Sequence, residues 1–429
     1  MPGNPIVQFE HTTRLSDPIT VLRVSLFGLL LLATVSSPAG QFTGALWVAP
    51  EYYDSNPGAL FFIPKPFNEF QNYQIRQEFE GGYQQGGFNL LATGMLTQQE
   101  GIARESKGIL KELYYDAEIA GREISFGKKV MSWGVGYGFR PLDVVQHEDR
   151  RQLFLRTLEG VKLISGDYFT DESAFTLAYI NPYRGRDDDR MDEESLALKY
   201  YHLQDNTDIH VVARLSERNK IEAGIGFSSV IHEGLEWHAS ALYQNRYHKL
   251  INRLTESDNL LATENPMQEK SSRHGIKALS GFTWTHPSGF SLLGEFWFDD
   301  SAYSKDEWDD LRQLTKAQLG LLGTGIDTEV YRNVSASTQF FSQSNLLQQN
   351  LLFRLSHDSQ NVVDVDSALD LLYTPEDSGW VLTASLSHER SNHRLELGLR
   401  SFGGHPDSVY RAIPMSSIVY LTWQFAFGL

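Results

Sequence analysis

SSIVYLTWQFAFGL, Ser416 to Leu429, closes the chain. Val419, Leu421, Trp423, Phe425, Phe427 and Leu429 share one parity, and Tyr420, Thr422, Gln424, Ala426 and Gly428 share the other. A period of two is the signature of a strand with one apolar face. Chain ends are ordinarily polar and frayed. An apolar face kept to the final residue implies a strand that is buried on one side along its whole length.

The same period runs through the rest of the chain. NYQIRQEFEGGY sets Tyr73, Ile75, Phe79 and Tyr83 against Gln74, Arg76, Glu78 and Glu80. HRLELGLR sets Leu395, Leu397 and Leu399 against Arg394, Glu396 and Arg400. About 18 such segments of roughly 10 to 13 residues can be counted, where strands of soluble sheets favour about 5 or 6. A tilted strand crossing a bilayer needs about 9 to 11. The connections alternate in length. Long ones are expected over roughly 53–71, 99–110, 132–154, 183–193, 246–274, 300–345 and 403–414, and very short ones between them, such as QG, AG and HEG. Two odd-numbered connections, near Arg218 and Glu376, break the pattern by being short. Short turns on one side and long loops on the other are the layout of an outer-membrane barrel. The expected fold is therefore all-β: a closed antiparallel transmembrane β-barrel of about 18 strands, with 16 as the alternative. Closure satisfies every backbone group without an edge, as hydrocarbon requires. A secreted sandwich or propeller is the competing reading. In the barrel the final strand closes the wall, and Trp423, Phe425 and Phe427 become lipid-interface anchors.

The chain has 429 residues and a formal charge of -17, with 12% aromatic residues. That acidity argues against nucleic acid as a partner, because phosphate needs a basic face. The sequence contains no cysteine, which removes disulfides and thiolate sites. Arg14 and Arg23 precede the apolar run VSLFGLLLLATV and then SSPAG. This is the pattern of a secretory signal peptide, expected over residues 1–39 with the barrel over 40–429. The apolar run falls short of the ~20 residues of a membrane-spanning helix.

Parity places many charges on the inward face. A charge facing lipid costs roughly 2–4 kcal/mol near the midplane. The expected pore-lining set is Arg76, Glu78, Glu112, Asp116, Glu118, Lys162, Arg214, Arg354, Asp364, Asp366, Asp370, Arg394 and Arg400. Such residues either tune selectivity in a wet pore or pair across strands and hold the lumen together. Lys128 and Glu159 fall on the outward parity. The third long connection carries Gly134, Gly136 and Gly138 among Trp133, Tyr137 and Phe139, followed by Arg140, Asp143, Arg150 and Arg151. Glycines permit tight folding, and the aromatic and charged residues are candidates for a constriction if this third outer loop folds into the lumen; an ordinary surface loop is the alternative. The glycine pattern is no dinucleotide fingerprint, because no βαβ unit follows.

Two stretches resemble known families. GKKVMSWGVGYGFRPLDVVQ, Gly127 to Gln146, resembles a GR/K-x-x-x-x-W-G…P-x-D stretch of certain large outer-membrane porin-like families, including the alginate-export type. The closing strand resembles the terminal strand recognised by the barrel assembly machinery, although that pattern ends in Phe and here Leu429 is last. These resemblances imply residence in the outer membrane of a Gram-negative bacterium. They also imply a porin-like channel for small polar solutes or for export of a polysaccharide. The expected partners are outer-membrane lipid, the assembly machinery and the solute, with a homo-oligomer left open. A closed barrel that acts through its loops is the alternative.

Other motifs weigh less. The acidic run Asp187, Asp188, Asp189 and Asp192 lacks EF-hand spacing, and no metal or cofactor is expected. Ser304 to Gly323 carries Leu311, Leu314, Ala317 and Leu321 at helical spacing and reads as a short helix in the largest loop. His238 with Ser240, and His210 with Asp208, are i, i+2 pairs on one face, but no nucleophile elbow or zinc motif accompanies them. No catalytic residue is assigned, and an outer-membrane hydrolase is the least favoured reading.

Overall fold

The computed structural model describes residues 40–68, 70–146, 158–181, 193–359 and 364–428. The signal peptide expected over 1–39 lies outside them. Residues Phe42–Leu429 form one compact unit.

Eighteen strands form the wall among the described residues. They are β1 (Gln41–Ser55), β2 (Tyr73–Gln85), β3 (Phe88–Gln99), β4 (Glu105–Ile119), β5 (Arg122–Lys129), β6 (Val161–Phe169), β7 (Ser173–Ile180), β8 (Ser195–Gln204) and β9 (Thr207–Ser216). There follow β10 (Lys220–His232), β11 (Leu235–Asn252), β12 (Met267–Thr285), β13 (Phe290–Asp299), β14 (Gln349–His357), β15 (Val365–Thr374), β16 (Gly379–Arg390), β17 (His393–Gly404) and β18 (Met415–Gly428). Each pairs antiparallel with the next along the chain, as in Phe79↔Gly94, Arg354↔Asp370 and Leu397↔Leu421. The ring closes where β18 meets β1, from Thr43↔Gly428 through Tyr52↔Val419 to Ser55↔Met415. The closing strand therefore has a partner on both sides, which is why its alternation persists to the end.

Exposure follows parity. Val419, Leu421 and Trp423 point outward and are exposed, while Ile418, Tyr420 and Thr422 between them are buried toward the lumen. Leucine, isoleucine and aromatic side chains on the outward parity of the other strands make an exposed apolar surface that water would not tolerate but lipid would. His393, Trp423, Phe425 and Phe427 stack along the outward edge of β17 and β18 near the short-turn end, with Trp423 and Phe425 ring centroids 6.4 Å apart.

The alternation of loop lengths holds with two changes. The connection expected over 99–110 shortens to 100–104, because β4 begins at Glu105. That expected over 246–274 shortens to 253–266, because β11 and β12 keep pairing from Arg246↔Arg273 to Asn252↔Met267. At about 3.3 Å per residue a strand as long as β12 runs roughly 60 Å, more than twice the apolar band of about 25 Å, so this hairpin stands above the rim. The largest connection holds two helices, α1 (Lys305–Leu319) and α2 (Asp327–Ser337). Ser304 starts α1 with a capping box, its Oγ taking the Glu307 N–H and its own N–H donating to Glu307 Oε2 at 2.8 Å. The buried side of α1 is Trp308, Leu311, Leu314, Thr315 and Gln318, so Ala317 falls outside the stripe expected for it. Trp308, Leu311, Val330 and Val334 pack with Phe61 and Ile63 of the first long connection, Leu250 and Ile251 of the β11 extension, and Val409 and Tyr410 of the last connection. Four outer elements thus share one apolar core at the long-loop end.

Candidate functional site

The lumen is built from two unlike halves. In one, the connection after β5 folds into the barrel. Met131, Trp133, Leu142, Val144 and Val145 pack against the inward residues Leu163 of β6, Ala178 and Ile180 of β7, Ala197 of β8, Val212 of β9 and Leu242 of β11. The sequence permits this because these inward positions are small or apolar. On β10 the inward Gly224 and Gly226 leave a hollow for Leu142, whose methyl groups would stand 2.6 and 2.8 Å from added Cβ atoms. Side chains of ordinary size there would push the loop off the wall.

The loop is also tied to itself. Asp143 accepts the N–H groups of Trp133 and Gly134, both at 2.6 Å, and the Ser132 hydroxyl at 3.1 Å. Burial raises the Asp143 pKa, and the two N–H bonds and Arg140 act against that rise. Gln146 takes the Met131 N–H and donates to the Glu159 carbonyl, both at 2.8 Å, joining the two arms. Beyond Gly134 the tip crosses to the opposite wall. Phe139 stacks on Trp297, with centroids 6.0 Å apart, and Leu279, Leu293 and Leu352 surround that contact. Arg354 lies over the Tyr137 ring at 5.6 Å.

The other half is open. A cavity of about 1530 Å³ is bordered by β1–β4 and β13–β18, by the loop tip at Tyr137, Gly138 and Arg140, and by the cap at Phe61, Ile63, Thr338 and Phe341. Its described charged lining comprises the arginines Arg76, Arg140, Arg354, Arg394 and Arg400 and the acids Glu51, Glu105, Asp358, Asp366, Asp370 and Glu396. Opposite charges pair side by side along the wall. Arg354 bonds both oxygens of Asp370 at 2.8 and 2.9 Å, Arg76 lies 3.8 Å from Glu51, and Arg394 lies 3.4 Å from Glu396. Arg400 donates to Thr383 Oγ1 at 3.0 Å, and Tyr420 to Glu396 at 3.2 Å.

Of the residues expected on the pore, Arg76, Arg140, Arg354, Asp366, Asp370, Arg394 and Arg400 border this cavity. The others stand elsewhere. Asp143 is turned into its own loop, as described above. Arg214 is buried at the long-loop end of β9, where it bonds Glu193 at 3.0 Å and Glu222 at 3.1 Å. Lys162 is a correction of face: it shares the parity of exposed Ile164, opposite Lys128, while Leu163 and Ser165 point inward. The outward Lys128 and Glu159 are ion-paired at 2.5 Å, so the expected anomaly is a pair that neutralises itself. Glu78 is buried away from the cavity. Glu112 accepts the Val130 N–H at 2.8 Å, Asp116 takes Lys129 at 3.0 Å, and Glu118 stands opposite Glu123 near the short turns. Asp364 lies at the edge of the described residues, and its carbonyl accepts from His388. Arg150, Arg151 and the run Asp187–Asp192 lie outside the described residues.

Some residues were missed. Lys111 is buried and pairs with Glu80 at 2.8 Å, because β4 carries one extra residue between Leu110 and Glu112 that shifts its parity. Glu51 borders the cavity although it did not stand out in the sequence, whereas Tyr137, named in the third long connection, borders it as well. His238 does not bond Ser240: its Nε2 is 2.9 Å from Glu295.

No family model matches the sequence, and no curated protein is recognisably similar to it. Solved structures are similar in fold. OccAB1 of Acinetobacter baumannii superposes with a TM-score of 0.54 at 8% identity, covering 91% of this chain and 97% of that one. OccK8 (OprE) of Pseudomonas aeruginosa gives 0.51 at 11%, covering 91% and 98%. A BenF-like porin from Pseudomonas fluorescens Pf-5 gives 0.51 at 9%, covering 90% and 99%. The chain has the fold of an outer-membrane porin. At these identities the likeness is one of architecture, and the eighteen-strand wall is the feature that carries it.

Proposed function

We propose that this barrel is a passive outer-membrane channel for small polar solutes, and that they pass through the open half of the lumen. The observation that carries this reading is the off-centre cavity bordered by both arginine and carboxylate side chains. Charges of both signs along a narrow aqueous passage sort solutes by charge and size. The resemblance of Gly127–Gln146 to alginate-export barrels suggested an exported polymer. That stretch instead enters the loop that fills half the bore, and a helical cap borders the other half, a shape better suited to small solutes than to a thick chain.

Reconstitution of the folded protein in planar bilayers tests the proposal. Discrete conductance steps are expected, together with ion selectivity in a salt gradient. Replacing residues 136–150 by a short linker is expected to raise the conductance and change the selectivity. A folded barrel that gives no steps under any voltage would support the closed, loop-acting alternative instead.

A further inference from the structure

Glu295 is an acid on the inward face of β13 and is 2% exposed. A buried carboxylate is costly unless every oxygen is bonded. Here the bonds come from the in-folded loop. Oε1 accepts the Tyr137 N–H and Oε2 the Gly138 N–H, both at 2.6 Å. His238 of β11 adds a contact from Nε2 to Oε1 at 2.9 Å. Two successive backbone N–H groups on the two oxygens of one carboxylate form a charge-assisted clamp, fixing the tip in position and orientation.

The approach is close enough to require glycine. A Cβ on Gly138 would lie 2.7 Å from Leu352, 3.0 Å from Trp297 and 3.1 Å from Glu295. Gly136 has a φ of +114°, in the region that favours glycine, and so turns the chain toward this contact. The residues between and beyond the clamped amides, Tyr137 and Arg140, border the cavity, and Tyr137 lies under Arg354.

We infer that Glu295 is a positioning residue for transport: by clamping the loop tip to β13 it sets the width and charge of the passage. This rests on the channel reading above, and it assigns to one buried side chain a control over what passes. The stacking of Phe139 on Trp297 and the cation–π contact of Tyr137 with Arg354 permit sliding; the clamp is directional.

The chain has no cysteine, so Tyr137→Cys takes a single spin label at the tip without altering the clamped amides. In the Tyr137→Cys background with Glu295 intact, an immobile spectrum is expected. Adding Glu295→Gln, which turns an NH2 group toward an N–H donor, is expected to give a mobile component. In the protein with Tyr137 intact, the same substitution is expected to change conductance and ion selectivity. A label that stays immobile in folded Glu295→Gln would overturn the clamp. A label that becomes mobile while conductance and selectivity stay at the wild-type values would overturn its control of the passage. If even the wild type does not conduct while the label loosens, the channel reading fails and the clamp stands. Should Glu295→Gln not fold, Glu295→Asp, which keeps the charge but draws the carboxylate back from the two amides, carries the same test, with the same two overturning results.

Discussion

At the residue scale, arginines that look alike in sequence do different things. Arg354 stands at the open cavity with Asp370, whereas Arg214 is buried between Glu193 and Glu222. Removing one partner of a buried ion pair leaves an uncompensated charge and costs about 3–5 kcal/mol. Arg214→Ala is therefore expected to lower stability by that order in denaturant unfolding from detergent, with ion selectivity unchanged in the molecules that fold. Arg354→Ala is expected to do the reverse: little loss of stability, and a shift toward cation selectivity as Asp370 loses its partner. A reversal potential identical to wild type for Arg354→Ala would remove that arginine from the conducting path. Arg76, Arg354 and Asp370 were readable from parity alone, because a one-in-two pattern states which face a strand residue takes. Lys111 was not, because an extra residue in β4 leaves no mark in the sequence of that strand.

At the element scale, the closing strand and the cap make separate predictions. Phe425 and Phe427 lie on the outward parity of β18, where the strand must meet both β1 and lipid. Replacing both by Asp puts two unpaired charges on the lipid side, which is costly. Barrel assembly is expected to fail, seen as loss of the heat-modifiable band from outer membranes; normal levels would reject this orientation of β18. The cap hangs on Asp407 of the last connection. Its carboxylate pairs with Lys316 and Arg312 of α1, and its carbonyl accepts from Trp308 at 3.0 Å. The Lys316 hydrogen bond, with the charges of Arg312 and Lys316, holds the Asp407 carboxyl below its ordinary range. A depressed carboxyl contributes stability above its unfolded pKa and loses it as pH falls through the folded value. Protection of the α1 amides against hydrogen exchange, relative to the intrinsic rate at each pH, is therefore expected to fall on acidification below the ordinary carboxylate range, and Asp407→Asn is expected to remove that dependence. An unchanged acid response in Asp407→Asn would mean that the cap is held by its apolar core.

At the scale of the whole molecule, the wall has no free edge and its outward face is apolar, so the folded state depends on a hydrophobic surround. The protein is expected to require detergent or lipid, to show a β-rich circular dichroism spectrum and to migrate differently on gels before and after boiling. A water-soluble monomer without detergent would exclude the membrane barrel. The interior is asymmetric for a reason that lies in the wall. Strands β6–β11 present Ala178, Ala197, Gly224 and Gly226 inward and can receive a loop, whereas β14–β18 present Arg354, Asp370, Arg394 and Arg400 and keep water.

What the sequence by itself determined was the wall: a closed barrel of about 18 strands with 16 left open, its alternation, the side with long loops and the closing role of Ser416–Leu429. Those follow from a period of two, which is local and repeats along the chain. What only the tertiary structure decided was the use of the lumen. Gly134, Gly136 and Gly138 announced a tightly folded loop, but its destination depended on Glu295, more than a hundred residues away, and on Leu142 finding the hollow of Gly224 and Gly226. The face of a strand residue is set by its neighbours in sequence; the partner it meets across the barrel is set by closure, and closure brings together residues that no local pattern connects.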